Sequence, residues 1–176
     1  ATKVFAEHMG IFFKRKYGLD FRGIRYPAVV GPGVRTPGLV QYHAWMIEES
    51  ARGNPFTVWV KPGTRHPILY FKDAARALVQ LESTPAERLR RASYVLSGIH
   101  PMPSARELAD RVHKKVSGAQ IRFEPDPERQ RILDELERPI DDGNARREWD
   151  WQPEYDLEGL VEDFLKEMAS YPGRYG

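Results

Sequence analysis

Residues 68–81 read I-L-Y-F-K-D-A-A-R-A-L-V-Q-L, and within them an extended segment gives way to a helix. Ile68 to Phe71 are apolar, aromatic and β-branched residues, which favour a strand. Asp73 then predicts a helix cap, with the helix running to about Leu81. Towards the N-terminus, 61–67 (K-P-G-T-R-H-P) predict a loop and Phe56–Val60 a strand. Leu39–Arg52 predict a helix that stops at Gly53. Residues 28–38 (A-V-V-G-P-G-V-R-T-P-G), dense in Gly and Pro, predict a loop. Phe21–Tyr26 predict a short strand stopped by Pro27. Residues 1–17 predict an amphipathic helix with two apolar stripes, Phe5/Met9/Phe13 and Val4/Ile11/Phe12, and so burial on two sides. Lys14, Arg15 and Lys16 complement its C-terminal dipole, and Gly18 is placed to cap it.

Towards the C-terminus the alternation continues. Tyr94–Leu96 predict a strand. Ser104 with Glu107 forms a capping-box pattern for a helix to about Val116. Gln120–Phe123 predict a strand, 127–136 and 143–149 short helices, and 156–168 an amphipathic helix. Strands alternating with helices argue for an α/β fold rather than separate β and α units.

Composition narrows the function classes. The 176 residues suit one domain, and with no Cys there is no disulfide, thiolate metal site or cysteine nucleophile. A net charge of +2 gives no basic footprint for nucleic acid. No apolar run reaches the ~20 residues of a membrane span. No signal peptide is recognised, and a cytoplasmic protein is expected. No G-x-G-x-x-G follows a strand, and there is no P-loop, H-E-x-x-H or G-x-S-x-G. Gly31-Pro32-Gly33 reads as a turn. Four histidines read as isolated surface or core residues, and no metal site is expected. Asp141-Asp142 reads as a turn and helix cap. Arg65 and His66 stand out in their loop. An Arg there could clamp a carboxylate or phosphate bidentately, and His66 could polarise a carbonyl or bind a polar substrate group.

Several segments carry a resemblance. A-T-K-V-F-A-E (1–7) resembles the second half of the Y-x-x-x-K helix of extended short-chain dehydrogenases/reductases, the NAD-dependent epimerase/dehydratase family. F-R-G-I-R-Y-P (21–27), followed by V-V-G-P-G, L-Y-F-K-D-A-A-R-A-L (69–78) and S-Y-V-L-S (93–97) are similar to later segments of that family, in the same order. K-P-G-T-R-H-P-I-L-Y (61–70), F-E-P-D-P-E-R-Q (123–130) and P-I-D-D-G-N-A-R-R-E-W-D-W-Q-P-E-Y-D-L (139–157) resemble its L-threonine 3-dehydrogenase branch.

The resemblance implies the C-terminal half of such an enzyme. Residues 1–31, 68–81 and 92–97 would belong to a Rossmann-type sheet, with 32–67 and 98–176 mainly a substrate-side subdomain. It implies hydride transfer to NAD (NADP is left open) with a tyrosinate as general base, and that Tyr would fall two residues before Ala1. Lys3 would lower the tyrosine pKa and bond the nicotinamide ribose. Tyr26, Pro27, Ala28 and Val29 would pass the nicotinamide. The branch's T-T-D-Y-like segment is represented by T-P-G-L-V-Q-Y (36–42), where Thr36 remains and the acidic position is apolar. The substrate class implied is therefore a hydroxy amino acid or a nucleotide-sugar. The first helix would pack across a two-fold axis as a homodimer. Without the Gly-rich loop and the Tyr, these residues alone are expected to bind NAD poorly and not to turn over. The rival expectation is a stand-alone remnant acting as a binding or oligomerisation module.

Overall fold

Three parallel strand pairs organise the chain in the computed structural model, which describes residues 2–175. Ala1, where the sequence starts the first helix, lies outside the described residues. Helix α1 spans Thr2–Tyr17 and ends at Gly18, whose φ of 70° is the left-handed cap conformation. Strands β1 (Gly23–Arg25) and β2 (Ala28–Val30) follow, then α2 (Tyr42–Ala51), β3 (Phe56–Val58) and β4 (Ile68–Tyr70). Helix α3 (Phe71–Ser83) and a 3-10 turn (Ala86–Arg88) lead to β5 (Ser93–Val95), α4 (Ala105–Lys115) and β6 (Ile121–Phe123). Helices α5 (Pro127–Leu136), α6 (Gly143–Trp149), α7 (Leu157–Ser170) and α8 (Pro172–Tyr175) complete the order.

β1 pairs with β5 (Gly23 opposite Ser93), β2 with β4 (Ala28 opposite Ile68) and β3 with β6 (Phe56 opposite Ile121), all parallel. Parallel neighbours need crossover connections, and the helices supply them. The fold is α/β. β4 is buried throughout, and its side chains alternate between two cores. Ile68 and Tyr70 join a larger cluster with Met46, Ile47, Val58, Leu108, Leu160 and Phe164. Leu69 joins a smaller one with Leu81, Leu96, Trp149 and Trp151. After β5 the chain crosses from one pair to the next, as Leu96 N–H donates to Arg25 O (3.0 Å) and Ile99 N–H to Ile68 O (2.9 Å). Gly98 makes this crossing possible. Its φ is +85°, and a Cβ there would lie 2.1 Å from the Ile68 carbonyl oxygen.

Side chains cap three helices, the first of them as expected. Ser104 and Glu107 form the full capping box of α4. Asp126 accepts from Arg129 N–H (2.9 Å) and Asp156 from Gly159 N–H (2.7 Å) at the starts of α5 and α7. Four expectations are corrected. Residues 28–30 are strand β2, not loop, because the β-branched pair Val29-Val30 finds a parallel partner in β4. Asp73 does not cap α3, which starts straight from Tyr70. Its buried carboxylate instead accepts from the Glu154 and Tyr155 backbone N–H groups (3.0 and 3.2 Å) and from Arg76 (2.8 Å). The Asp141-Asp142 expectation is corrected in part: Asp141 accepts from Gly143 N–H (2.8 Å) in the expected turn and Asp142 holds the N-cap position of α6, but the Asp142 carboxylate makes no capping bond and accepts instead from Ser97 Oγ (2.5 Å) and Arg146 (2.7 Å). α1 is not buried on two sides, since only Gly10 is buried. Among the described residues no helix is long and apolar enough to cross a membrane.

Candidate functional site where β1 passes into β2

In open parallel sheets, ligands bind beyond the carboxyl ends of the strands. Here that edge is where β1 ends and Tyr26-Pro27 turn the chain into β2. Two contacts orient α1 against it. Gly10 packs under Phe21, where a Cβ would come within 2.4 Å of the ring. One turn earlier, the Glu7 carboxylate takes both Nε and Nη2 of Arg25. As the helix number falls the strand number rises, so the two elements run in opposite directions. Lys3, four residues before Glu7 and on the same helix face, therefore lies towards the C-terminal end of β1. Its side chain is exposed and makes no hydrogen bond or ion pair among the described residues.

Tyr26 points inward. Its hydroxyl donates to Ala74 O on α3 (2.8 Å), and burial pushes its pKa up. Only its backbone, with Pro27, remains at the edge. Ala28 N–H is committed to Pro67 O (3.2 Å). Strand alternation then turns the N–H and C=O of Val29 away from β4, and among the described residues no other strand pairs with β2. Val29 therefore offers one free backbone donor and one free acceptor, the complement of a primary amide.

The Ala28–Pro67 bond brings Arg65 and His66 beside this turn. The Arg65 fork is already occupied, with Nη1 donating to Met102 O (2.6 Å) and Glu107 Oε2 (2.9 Å), and Nη2 to Glu107 Oε1 (3.3 Å). With the Ser104 backbone N–H first and Arg65 second, these bonds hold the Glu107 carboxyl at about 2. Arg65 thus fastens its loop to the start of α4. His66 is half-buried, burial lowers its pKa, and its Nδ1 has no partner among the described residues. Thr36 is exposed on the loop before α2.

Sequence reasoning missed His43, which reads as isolated in the chain but packs against His66, with ring centroids 6.2 Å apart. Its Nδ1–H donates to Val40 O (2.7 Å), Tyr42 stacks on it at 3.9 Å, and its Nε2 is buried without a partner. Burial holds its pKa down at about 3, against the Val40 bond. No motif spacing announces this pair, because tertiary packing brings together residues 23 positions apart. Glu48 was also missed. Fully buried, it accepts from Gly33 N–H (3.0 Å), Arg35 (2.6 Å) and Arg52 (2.6 Å), and so shapes the Gly31–Gly38 loop. Among the described residues, no group of three or more His, Asp or Glu could hold a metal ion.

Residues 1–96 match the model of the NAD dependent epimerase/dehydratase family. The chain belongs to that family. It is 36% identical to the mitochondrial L-threonine 3-dehydrogenase of Bos taurus over 165 residues, 93% of this chain and 44% of that protein. Among solved structures it resembles the L-threonine dehydrogenase of Phytophthora infestans, with a TM-score of 0.85 and 29% identity over 96% of this chain and 54% of that one. It also resembles the holo form of a GalE-like L-threonine dehydrogenase from Cupriavidus necator, with a TM-score of 0.80 and 31% identity over 92% and 52%. The chain spans about half the length of the curated relatives it matches. These Rossmann-type relatives share its α/β fold.

Proposed function

We propose that the chain is the C-terminal, substrate-side part of an NAD-dependent oxidoreductase related to L-threonine 3-dehydrogenase, and that these 176 residues alone do not turn over. One observation carries the reading. The free backbone donor and acceptor of Val29 stand in β2, four residues past the carboxyl end of β1, in a chain similar over nine-tenths of its length to about half of such dehydrogenases. The pairing of β1 with β5 and of β2 with β4 supports a sheet portion of 1–31, 68–81 and 92–97. The β3–β6 pair supports a second unit of 32–67 and 98–176.

NAD, when bound, supplies the hydride acceptor. Val29 fits the carboxamide of that group by hydrogen-bond complementarity, and Pro27 fixes the approach of the chain to it. Lys3 has three free donors for ribose hydroxyls, and its charge favours a tyrosinate held nearby. NADP remains the alternative cofactor. His66 and Thr36 are the residues left to meet a substrate, either a hydroxy amino acid or a nucleotide-sugar. Arg65 acts there only if substrate displaces Glu107.

The test is calorimetry and turnover with NAD and L-threonine. The 176-residue chain should bind NAD no tighter than millimolar and show no turnover. Micromolar binding or activity would overturn the reading. In a longer parent protein, Lys3→Ala should lower kcat by about 10²–10⁴-fold, the range of acid–base assistance.

A second reading, a stand-alone binding or oligomerisation module, is favoured by the exposed apolar residues of α1: Val4, Phe5, Phe12 and Phe13. Such a patch associates in water, and a homodimer in a cytoplasmic setting is the partner proposed on either reading. A clean monomer in light scattering at micromolar concentration would count against it.

A further inference from the structure

The connection from α3 into β5 and the facing side of α6 enclose a cleft of about 490 Å³. Four guanidinium groups line it: Arg88, Arg90 and Arg91 from the connection and Arg147 from α6. Glu87, Asn144 and Glu148 line it with them. Glu148 is not available to a ligand. It is buried, and it accepts from Tyr94 Oη (2.5 Å), Arg90 backbone N–H (2.8 Å) and Arg91 Nη1 (2.7 Å). Those bonds pin the arginine-bearing segment to α6.

Three of the guanidiniums are held but not used up. Arg88 spends Nη2 on Asp150 (2.7 Å), Arg91 spends Nη1 on Glu148, and Arg147 spends Nη2 on the neutral Asn144 amide oxygen (2.6 Å). Each keeps further N–H donors. The Arg90 side chain makes no hydrogen bond or ion pair among the described residues. Among the described residues, Arg90 and Arg147 are thus two cations without a carboxylate partner on the walls of one cleft. The planar fork of a guanidinium suits the tetrahedral oxygens of phosphate.

The cleft also sits away from the site above. Arg90 and Arg91 lead into the start of β5, where Ser93 is opposite Gly23. Tyr26 to Val29 leave the other end of β1. A ligand at one edge of the sheet leaves the other edge open.

We propose that this cleft is a second ligand site, for a small phosphate-bearing anion held by Arg90 and Arg147 with Arg88 and Arg91 beside them. It is independent of the dehydrogenase reading. An anion here ties the α3–β5 connection to α6 and stabilises that corner of the smaller core.

The experiment is titration calorimetry of the protein with inorganic pyrophosphate at physiological ionic strength, where the Debye length is about 8 Å and diffuse attraction is screened. We expect saturable binding of one pyrophosphate per chain, accompanied by a rise in Tm. Arg90→Gln and Arg147→Gln should each weaken it at least about tenfold, the effect of losing a hydrogen bond to a charged group. Arg131→Gln, which removes an exposed arginine of α5 paired with Glu135, should leave it unchanged. Arg90→Gln removes no side-chain hydrogen bond or ion pair among the described residues, so that variant keeps the fold even if Arg147→Gln does not. The proposal is overturned by no saturable heat up to about 10 mM, well above the millimolar range of weak binding, or by equal weakening from Arg131→Gln. Heats for sulfate and pyrophosphate that are alike and vanish together as added salt screens them would overturn it too.

Discussion

Helices α1 and α2 are both rich in large apolar residues, yet they fare differently. The 16-residue α1 buries Gly10 alone, and Phe5 remains 66% exposed. The 10-residue α2 buries seven residues: Tyr42, His43, Ala44, Met46, Ile47, Glu48 and Ser50. α2 lies between β3, α4 and α7, so nearly every side of it meets another element of this chain. α1 has β1 beneath it and nothing described above it. An apolar pattern announces that a face will be covered; it does not announce that the cover comes from the same chain.

Substitutions sharpen the contrast, and the largest effect belongs to α2. Ile47→Ala should cost about 2–5 kcal/mol in urea unfolding, the range for truncating a fully buried aliphatic side chain. A loss below about 1 kcal/mol would mean that α2 is less tightly enclosed than its burial indicates. The same helix should respond to acid. His43 is buried neutral with its folded pKa depressed to about 3, whereas the unfolded chain titrates near 6.5. Its stabilisation is therefore complete above about pH 6.5 and is lost as pH falls towards 3, at up to about 1.4 kcal/mol per pH unit. His66, also lowered, adds in the same direction. His43→Gln should flatten this slope in urea titrations between pH 7 and 5; an unchanged slope would assign it to other groups.

Next in size, Ser104→Ala removes the cap of α4, which packs on α2, and should cost about 1 kcal/mol. Smallest, Phe5→Ala on α1 should change the stability of the monomeric chain by no more than about 0.5 kcal/mol, as at other exposed positions. A cost equal to that of Ile47→Ala would show α1 packed against something, and its disappearance on dilution would identify a second copy.

Elements whose signals are local were legible in the sequence. The capping box at Ser104 and the Gly18 stop both act within one helical turn. β2 was not legible, because the Gly and Pro residues after it swamp three strand residues that owe their state to β4. Asp73 misled for a related reason. Its composition fits a cap, but its partners are Glu154 and Tyr155, more than 80 positions away. At the candidate site, Lys3 and the Tyr26–Val29 turn came from resemblance. The inward hydroxyl of Tyr26, the occupied fork of Arg65 and the meeting of His43 with His66 are tertiary facts that no spacing encodes.

The fastening of α1 has a consequence in time as well as in energy. A helix held by a glycine under the Phe21 ring and an exposed Glu7–Arg25 pair can lift away without disturbing the larger core. Opening of that kind is sub-global. In the isolated chain, amide protons along α1 should exchange with deuterium well before those of α2, which wait for the whole domain to unfold. An added partner that slowed the first set alone would mark α1 as the surface it covers.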